Sequence, residues 1–250
     1  MKQKMLFAAV YEALGPDRCA VCRLSLDSVH RMLDGLLYEQ VNDPWIRERL
    51  VNACGFCPTH AWKVRALNSP LGTAIIHRHL LEELLETFRG ALQAVPASAK
   101  KRTKLPWQAH LGTPLELALA AWLKGRATCP ACEVQHEAEG RYSDSVARAF
   151  DDPDFRAKYR EGLGVCVRHI RGVLAEVAGP TDVEWFTGTE REIIQRLASE
   201  LSEFVRKHDY RFAKEPRGNE GTSWIRVIEK LAGAPGMVWI SRVTRKHPRR

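Results

Sequence analysis

One short signature occurs twice in this chain and constrains its fold more than any other feature. In the first copy Cys19-Ala-Val-Cys22 is followed by Gly55-Phe-Cys57-Pro-Thr-His60, with 34 residues between Cys22 and Cys57. In the second, Cys129-Pro-Ala-Cys132 is followed by Gly164-Val-Cys166-Val-Arg-His169, with 33 residues between Cys132 and Cys166. Each copy supplies three thiols and one imidazole, the ligand set of a closed tetrahedral metal site. A CxxC at a helix start presents two sulfurs about one turn apart, and a CxxH at another does the same with a sulfur and a ring nitrogen. The free amide groups at helix starts also favour thiolate over thiol.

The segments around the ligands repeat as well. Lys2–Leu14 reads as a helix stopped by Gly15-Pro16, and Leu26, Val29, Leu33, Leu36 and Leu37 mark one face of the next. Asp43-Pro44 opens a short helix to Asn52 with an Asp cap and proline in the first turn, and Gly55 suits the turn that ends it. A further helix begins at Cys57, and one over Thr73–Leu92 has Ile76, Leu80, Leu84, Leu85 and Phe88 as its inner stripe. Thr113-Pro114-Leu115-Glu116 is a capping box that starts a helix over Pro114–Lys124. Shifted by 109 positions, Asp43-Pro44, Gly55, Cys57 and His60 fall on Asp152-Pro153, Gly164, Cys166 and His169; the CxxC pairs are shifted by 110. A helix over Glu184–His208, with Ile193, Ile194, Leu197 and Leu201, answers Thr73–Leu92. The pattern predicts an all-α protein of two quasi-equivalent helical lobes from an internal duplication, each lobe holding its own Cys3His site. The expected divisions are 1–95 for the first repeat, 96–112 for a basic linker, 113–209 for the second repeat, and 210–250 for a C-terminal helix and extended basic tail. Met237–Ile240 is the most strand-like run, but a lone strand has no partner.

The net charge of +8 resides in segments. Lys100, Lys101, Arg102 and Lys104 lie in the linker, and Arg242, Arg245, Lys246, Arg249 and Arg250 lie at the end. These charges exceed the net charge, so the remainder is close to neutral. A nucleic-acid partner would use those two segments. No apolar run reaches the ~18 residues of a membrane span, so no membrane partner is expected. Seven cysteines, an odd number in CxxC spacing with histidines, fit thiolate ligands in a reducing cytoplasm better than disulfides.

Two zinc ions are the expected cofactors, one per site. An iron–sulfur cluster is the alternative, although such clusters are held mostly by four thiolates. The third reading is a thiol–disulfide pair, since Cys129-Pro-Ala-Cys132 resembles a redox motif and Cys54-Gly-Phe-Cys57 is a third CxxC; no strand leads into any of them. Cys54 has Leu163 as its counterpart; it reads first as a spare hydrophobe, with an exchange ligand or a reactive thiol beside the site as the alternatives. The chain contains no Ser/His/Asp order, no phosphate-cradling glycine loop and no HExxH, so nothing supports an enzyme. The seven tryptophans, scattered on amphipathic helices, are read as packing.

The paired CxxC…Asp-Pro…GxCxxH pattern, followed by Thr222-Ser-Trp224, Ile228 and Leu-Ala-Gly233, resembles a family of uncharacterised prokaryotic cysteine-rich helical proteins. The resemblance implies a cytoplasmic bacterial or archaeal protein, with Cys19, Cys22, Cys57, His60, Cys129, Cys132, Cys166 and His169 as ligands. It brings no activity with it. The function expected from sequence is a zinc-binding, non-catalytic scaffold or adaptor for a macromolecular partner, with a redox or metal sensor and a nucleic-acid binder as alternatives.

Overall fold

The structure, a computed structural model, describes residues 2–93, 113–124, 127–212 and 214–239. It is all-α, with eleven α-helices and no strand among the described residues. The first five helices are α1 (Lys2–Ala13), α2 (Ala20–Glu39), α3 (Pro44–Asn52), α4 (Pro58–Ala66) and α5 (Pro70–Gln93). The next five are α6 (Pro114–Lys124), α7 (Pro130–Arg148), α8 (Pro153–Glu161), α9 (Val167–Leu174) and α10 (Pro180–Arg206), and α11 (Ser223–Ala232) follows. The order long, short, short, long after each CxxC therefore occurs twice. The lysine cluster at 100–104 and the basic end lie outside the described residues. Met237–Trp239 lies in neither helix nor strand.

The local signals act as their chemistry requires. Asp43 Oδ1 accepts from the amides of Trp45 (2.8 Å) and Ile46 (3.2 Å), and Asp152 Oδ1 accepts from Phe155 (2.8 Å). Each cap satisfies amides that the helix itself leaves without acceptors. Thr113 and Glu116 form the reciprocal capping box, at 3.2 and 3.3 Å.

The chain divides into two compact units that do not follow chain order. Unit one is Met1–Ser28 together with Val134–Arg250; unit two is Val29–Glu133. The division falls inside α2 and α7, so each of these helices starts in the unit that holds its own CxxC and continues into the other.

Unit one is built on Val10, Val21, Val146, Phe150, Phe155, Tyr159, Phe186 and Ile193, all buried. Its aromatic centre has ring centroids 4.8 Å apart for Phe150–Trp185 and 5.3 Å for Phe150–Phe186. Each large apolar side chain buried there contributes about 1.5–3 kcal/mol. Unit two buries Val29, Leu33, Leu36 and Leu37 of α2, Leu50 of α3, Val64 of α4, and Ile76 and Leu80 of α5. Leu85, placed on the inner stripe by periodicity, is instead more than half exposed, and in α10 Ile194 is exposed beside the buried Ile193.

Helix α11 reverses the usual amphipathic arrangement. Its serine and charged side chains Ser223, Glu229 and Lys230 are buried, while Trp224, Ile225, Ile228 and Leu231 are at least half exposed. Trp224, Trp45 and Trp62 thus depart from the expected packing role. Arg49 lies over the Trp45 ring at 4.7 Å, and Arg65 over Trp62 at 5.8 Å.

Candidate metal centres

The eight ligands converge in two groups of four, and the pairing is crosswise. The first centre is Cys19, Cys22, Cys166 and His169; the second is Cys57, His60, Cys129 and Cys132. The expectation that each sequence copy closes its own site is overturned. The CxxC of one copy meets the CxxH of the other. Each centre lies wholly within one unit, the first in unit one and the second in unit two.

In the first centre, the Sγ atoms of Cys19, Cys22 and Cys166 stand 3.3, 3.4 and 3.3 Å from His169 Nδ1, and Cys22 and Cys166 Sγ are 3.8 Å apart. In the second, Cys57, Cys129 and Cys132 Sγ stand 3.3, 3.7 and 3.4 Å from His60 Nδ1, with Cys132 and Cys57 Sγ 3.6 Å apart. A single tetrahedral zinc, with Zn–S ~2.3 Å and Zn–N ~2.0–2.1 Å, places sulfurs ~3.8 Å apart and sulfur ~3.5 Å from nitrogen. Both groups match that spacing. A cluster, by contrast, distributes its ligands over several irons and spreads them further.

The donor chemistry also fits a cation. None of the seven cysteines forms a disulfide. Three thiols this close cannot all ionise without a positive charge among them. Hydrogen bonds from Cys129 and Cys132 hold Cys57 down to about 2, whereas Cys132 is pushed far up by Cys129 and Cys57. In the first centre Cys19 and Cys22 hold Cys166 strongly down, and Cys166 and Cys19 push Cys22 strongly up. Burial works against a charged His169, yet the thiols of Cys166 and Cys19 hold its pKa up to about 10. A divalent cation at each centre would let all three sulfurs ionise and fix the imidazole with Nδ1 as donor. That tautomer puts the proton on Nε2, which is buried and unpartnered in both His60 and His169.

The loops that deliver the CxxH ligands are built differently. Gly164, two residues before Cys166, has φ +66°, and a Cβ there would come within 2.6 Å of Glu190 Oε1. Glu190 accepts from Tyr159 Oη (2.5 Å) and from the Val165 amide (3.1 Å) and pairs with Lys230 Nζ. Lys230 Nζ also donates to the carbonyls of Leu163 (2.9 Å) and Val165 (2.7 Å). This buried, fully bonded set holds residues 163–165 and so aims Cys166. In unit two Gly55 also has positive φ, but its neighbour from the long helix is the apolar Leu80. Sequence reasoning missed Lys230, Glu190 and Tyr159. The available signal was a lysine and a glutamate on faces otherwise occupied by buried residues.

Residues 229–239 lie against the first centre. Glu229 Oε1 accepts from the Cys19 amide (3.2 Å), and the Ala234 amide points to Cys22 Sγ (3.5 Å). Trp239 meets the His169 ring edge-on with centroids 5.6 Å apart, and Arg168 lies over Trp239 at 4.5 Å. Gln135 of α7 fixes this segment with two bonds to Val238, at 2.9 and 3.1 Å.

The remaining chemistry-bearing residues do not join either centre. Cys54 Sγ donates to the Trp122 carbonyl oxygen at 2.5 Å. A cavity of about 430 Å³ in unit one is lined by Asp17, Glu161, Arg196, Glu200 and Arg226 among others. Both of its arginines are already engaged: Arg196 donates to the carbonyls of Arg160 (2.9 Å) and Gly162 (2.7 Å), and Arg226 pairs with Glu200 at 2.7 Å. No described helix is long and apolar enough to cross a membrane.

The chain is similar to an uncharacterised 23.9 kDa protein encoded in the xynA 3′ region of Caldicellulosiruptor sp. (strain Rt8B.4). The two are 26% identical over 219 residues, which cover 87% of this chain and 96% of the relative. No solved structure matches. The profile of one family, DUF6062, a family of unknown function, matches residues 1–236, and the chain belongs to that family.

Proposed function

We propose that the protein is a zinc-stabilised, non-catalytic scaffold in which two structural ions staple helix starts that are far apart in sequence. The carrying observation is the spacing of the ligand atoms: in each centre the three sulfurs and Nδ1 lie within 4.8 Å of one another. Four protein ligands complete a tetrahedron and leave no position for substrate, which favours a structural over a Lewis-acid role. At each centre the zinc would neutralise three thiolates and join two helix N-termini, so that binding free energy becomes folding free energy. The repeated helix order and the equivalent turns at Gly55 and Gly164 support an origin by internal duplication.

Elemental analysis of protein purified anaerobically without added metal tests this reading. The expected result is two zinc atoms per chain, no acid-labile sulfide and no visible charge-transfer band. Iron with sulfide and visible absorption would overturn it. Removal of both ions with a strong chelator should abolish cooperative unfolding by circular dichroism.

A further inference from the structure

The two centres have nearly the same ligand geometry, but among the described residues only the first has a separate segment of the chain laid over it. The first centre has Cys19, Cys22 and Cys166 fully buried and His169 nearly so. It lies beneath residues 229–239, which cap the Cys19 amide through Glu229, donate to Cys22 Sγ from Ala234 and set Trp239 against the His169 ring. Gly233 lets this segment come close. It has φ +83°, and a Cβ on it would meet Cys22 Sγ at 3.3 Å and the Trp239 ring at 2.6 Å. Gln135 ties the segment to α7, and Met237 is buried in the core. The second centre has His60, Cys129 and Cys132 buried as well, but Cys57 is only half-buried at the start of α4, with Trp62 exposed further along the helix. Among the described residues, no backbone amide from outside the ligand helices reaches a sulfur of the second centre.

We infer that the two centres exchange metal at different rates: the second is an exchangeable zinc site, and the first is sealed by the strap of residues 229–239. The inference rests on the zinc reading above. Ligand replacement requires a competing donor to reach the ion or a ligand to leave it. At the second centre Cys57 offers that path directly. At the first, the strap must open locally before any donor can enter, and exchange is slowed by the equilibrium constant of that opening. Outer contacts of this kind are each worth about 10–100-fold in metal affinity. The second centre can therefore give its ion to a thiol- or carboxylate-rich acceptor, or take one up, while the first keeps its ion and the fold of unit one.

The test is release of zinc from the intact holoprotein into excess 4-(2-pyridylazo)resorcinol, followed by absorbance. The expected trace has two phases of one zinc each. Cys57→Ser should remove the fast phase and leave the slow one, which assigns the phases. Trp239→Ala should accelerate the slow phase by about ten-fold or more and leave the fast phase unchanged. If Trp239→Ala fails to fold by circular dichroism, Gln135→Ala frees the strap without touching a ligand contact and should produce the same acceleration. Two zinc atoms leaving in one phase, or a slow phase unmoved by the strap variant, would overturn the inference while leaving the zinc reading intact. A holoprotein without two zinc atoms would overturn the zinc reading itself.

Discussion

Replacing Lys230 by Met removes one charge from a buried network and leaves its partner behind. Lys230 is 2% exposed and Glu190 is 3% exposed. After the change Glu190 still accepts from Tyr159 Oη and the Val165 amide, but its counter-charge is gone and the carbonyls of Leu163 and Val165 lose their donor. Burial, then the Glu190 carboxylate, pushes the Tyr159 phenol well above its usual pKa, so Tyr159 stays a donor and cannot supply positive charge. Breaking a buried pair from one side costs about 3–5 kcal/mol. Glu190→Leu breaks it from the other side at a similar cost. Leucine suits the space, because Leu80 stands beside Gly55 where Glu190 stands beside Gly164. The double variant holds no unpaired charge, so its loss should fall short of the sum by about 2–3 kcal/mol. The assay is urea unfolding of zinc-loaded protein at fixed free zinc, read by hydrogen exchange at the Val165 amide. A local probe is needed because two units need not unfold as one. Single losses below about 1 kcal/mol, or additivity within about 0.5 kcal/mol, would refute the account of how Cys166 is positioned.

Three further outcomes follow from the same geometry. Asp43→Ala and Asp152→Ala should each lower stability by about 1 kcal/mol in denaturant melts, with Asn at either position recovering most of it. Gly233→Ala should destabilise by about 1–3 kcal/mol, through the left-handed backbone and the clash with Trp239, and should perturb tryptophan fluorescence. Zinc occupancy should fall on acidification, because thiolate and imidazole ligands bind metal only when deprotonated, and dialysis across a pH series with elemental analysis measures it.

Much of the fold was legible because it is written locally. Asp-Pro pairs, the Thr113–Glu116 box and apolar spacing mark where helices start and what they bury, and each depends on neighbours within a turn or two. The ligand set was legible for the same reason. The pairing was not. Both CxxC motifs carry the same two thiols, and both CxxH motifs carry the same thiol and imidazole, so short-range spacing is indifferent to which meets which. What decides is packing at a distance: Lys230 on the loop before Cys166, Glu229 on the amide of Cys19, and Tyr11, whose carbonyl takes the Lys158 ammonium at 2.6 Å. Helix α11 was opaque for a related reason. Its apolar stripe has the usual period, but a buried lysine and glutamate on the opposite side claim the inward face.

The crossed ligands also change what it takes to divide this protein. A single cut anywhere between His60 and Cys129 yields two fragments, one with Cys19, Cys22, Cys57 and His60 and the other with Cys129, Cys132, Cys166 and His169. Each fragment carries half of both centres, so neither can complete a native centre alone. A nicked chain should migrate as one species while metal is bound and separate into halves when a chelator is added. The halves made apart should remain unfolded until mixed with each other and zinc.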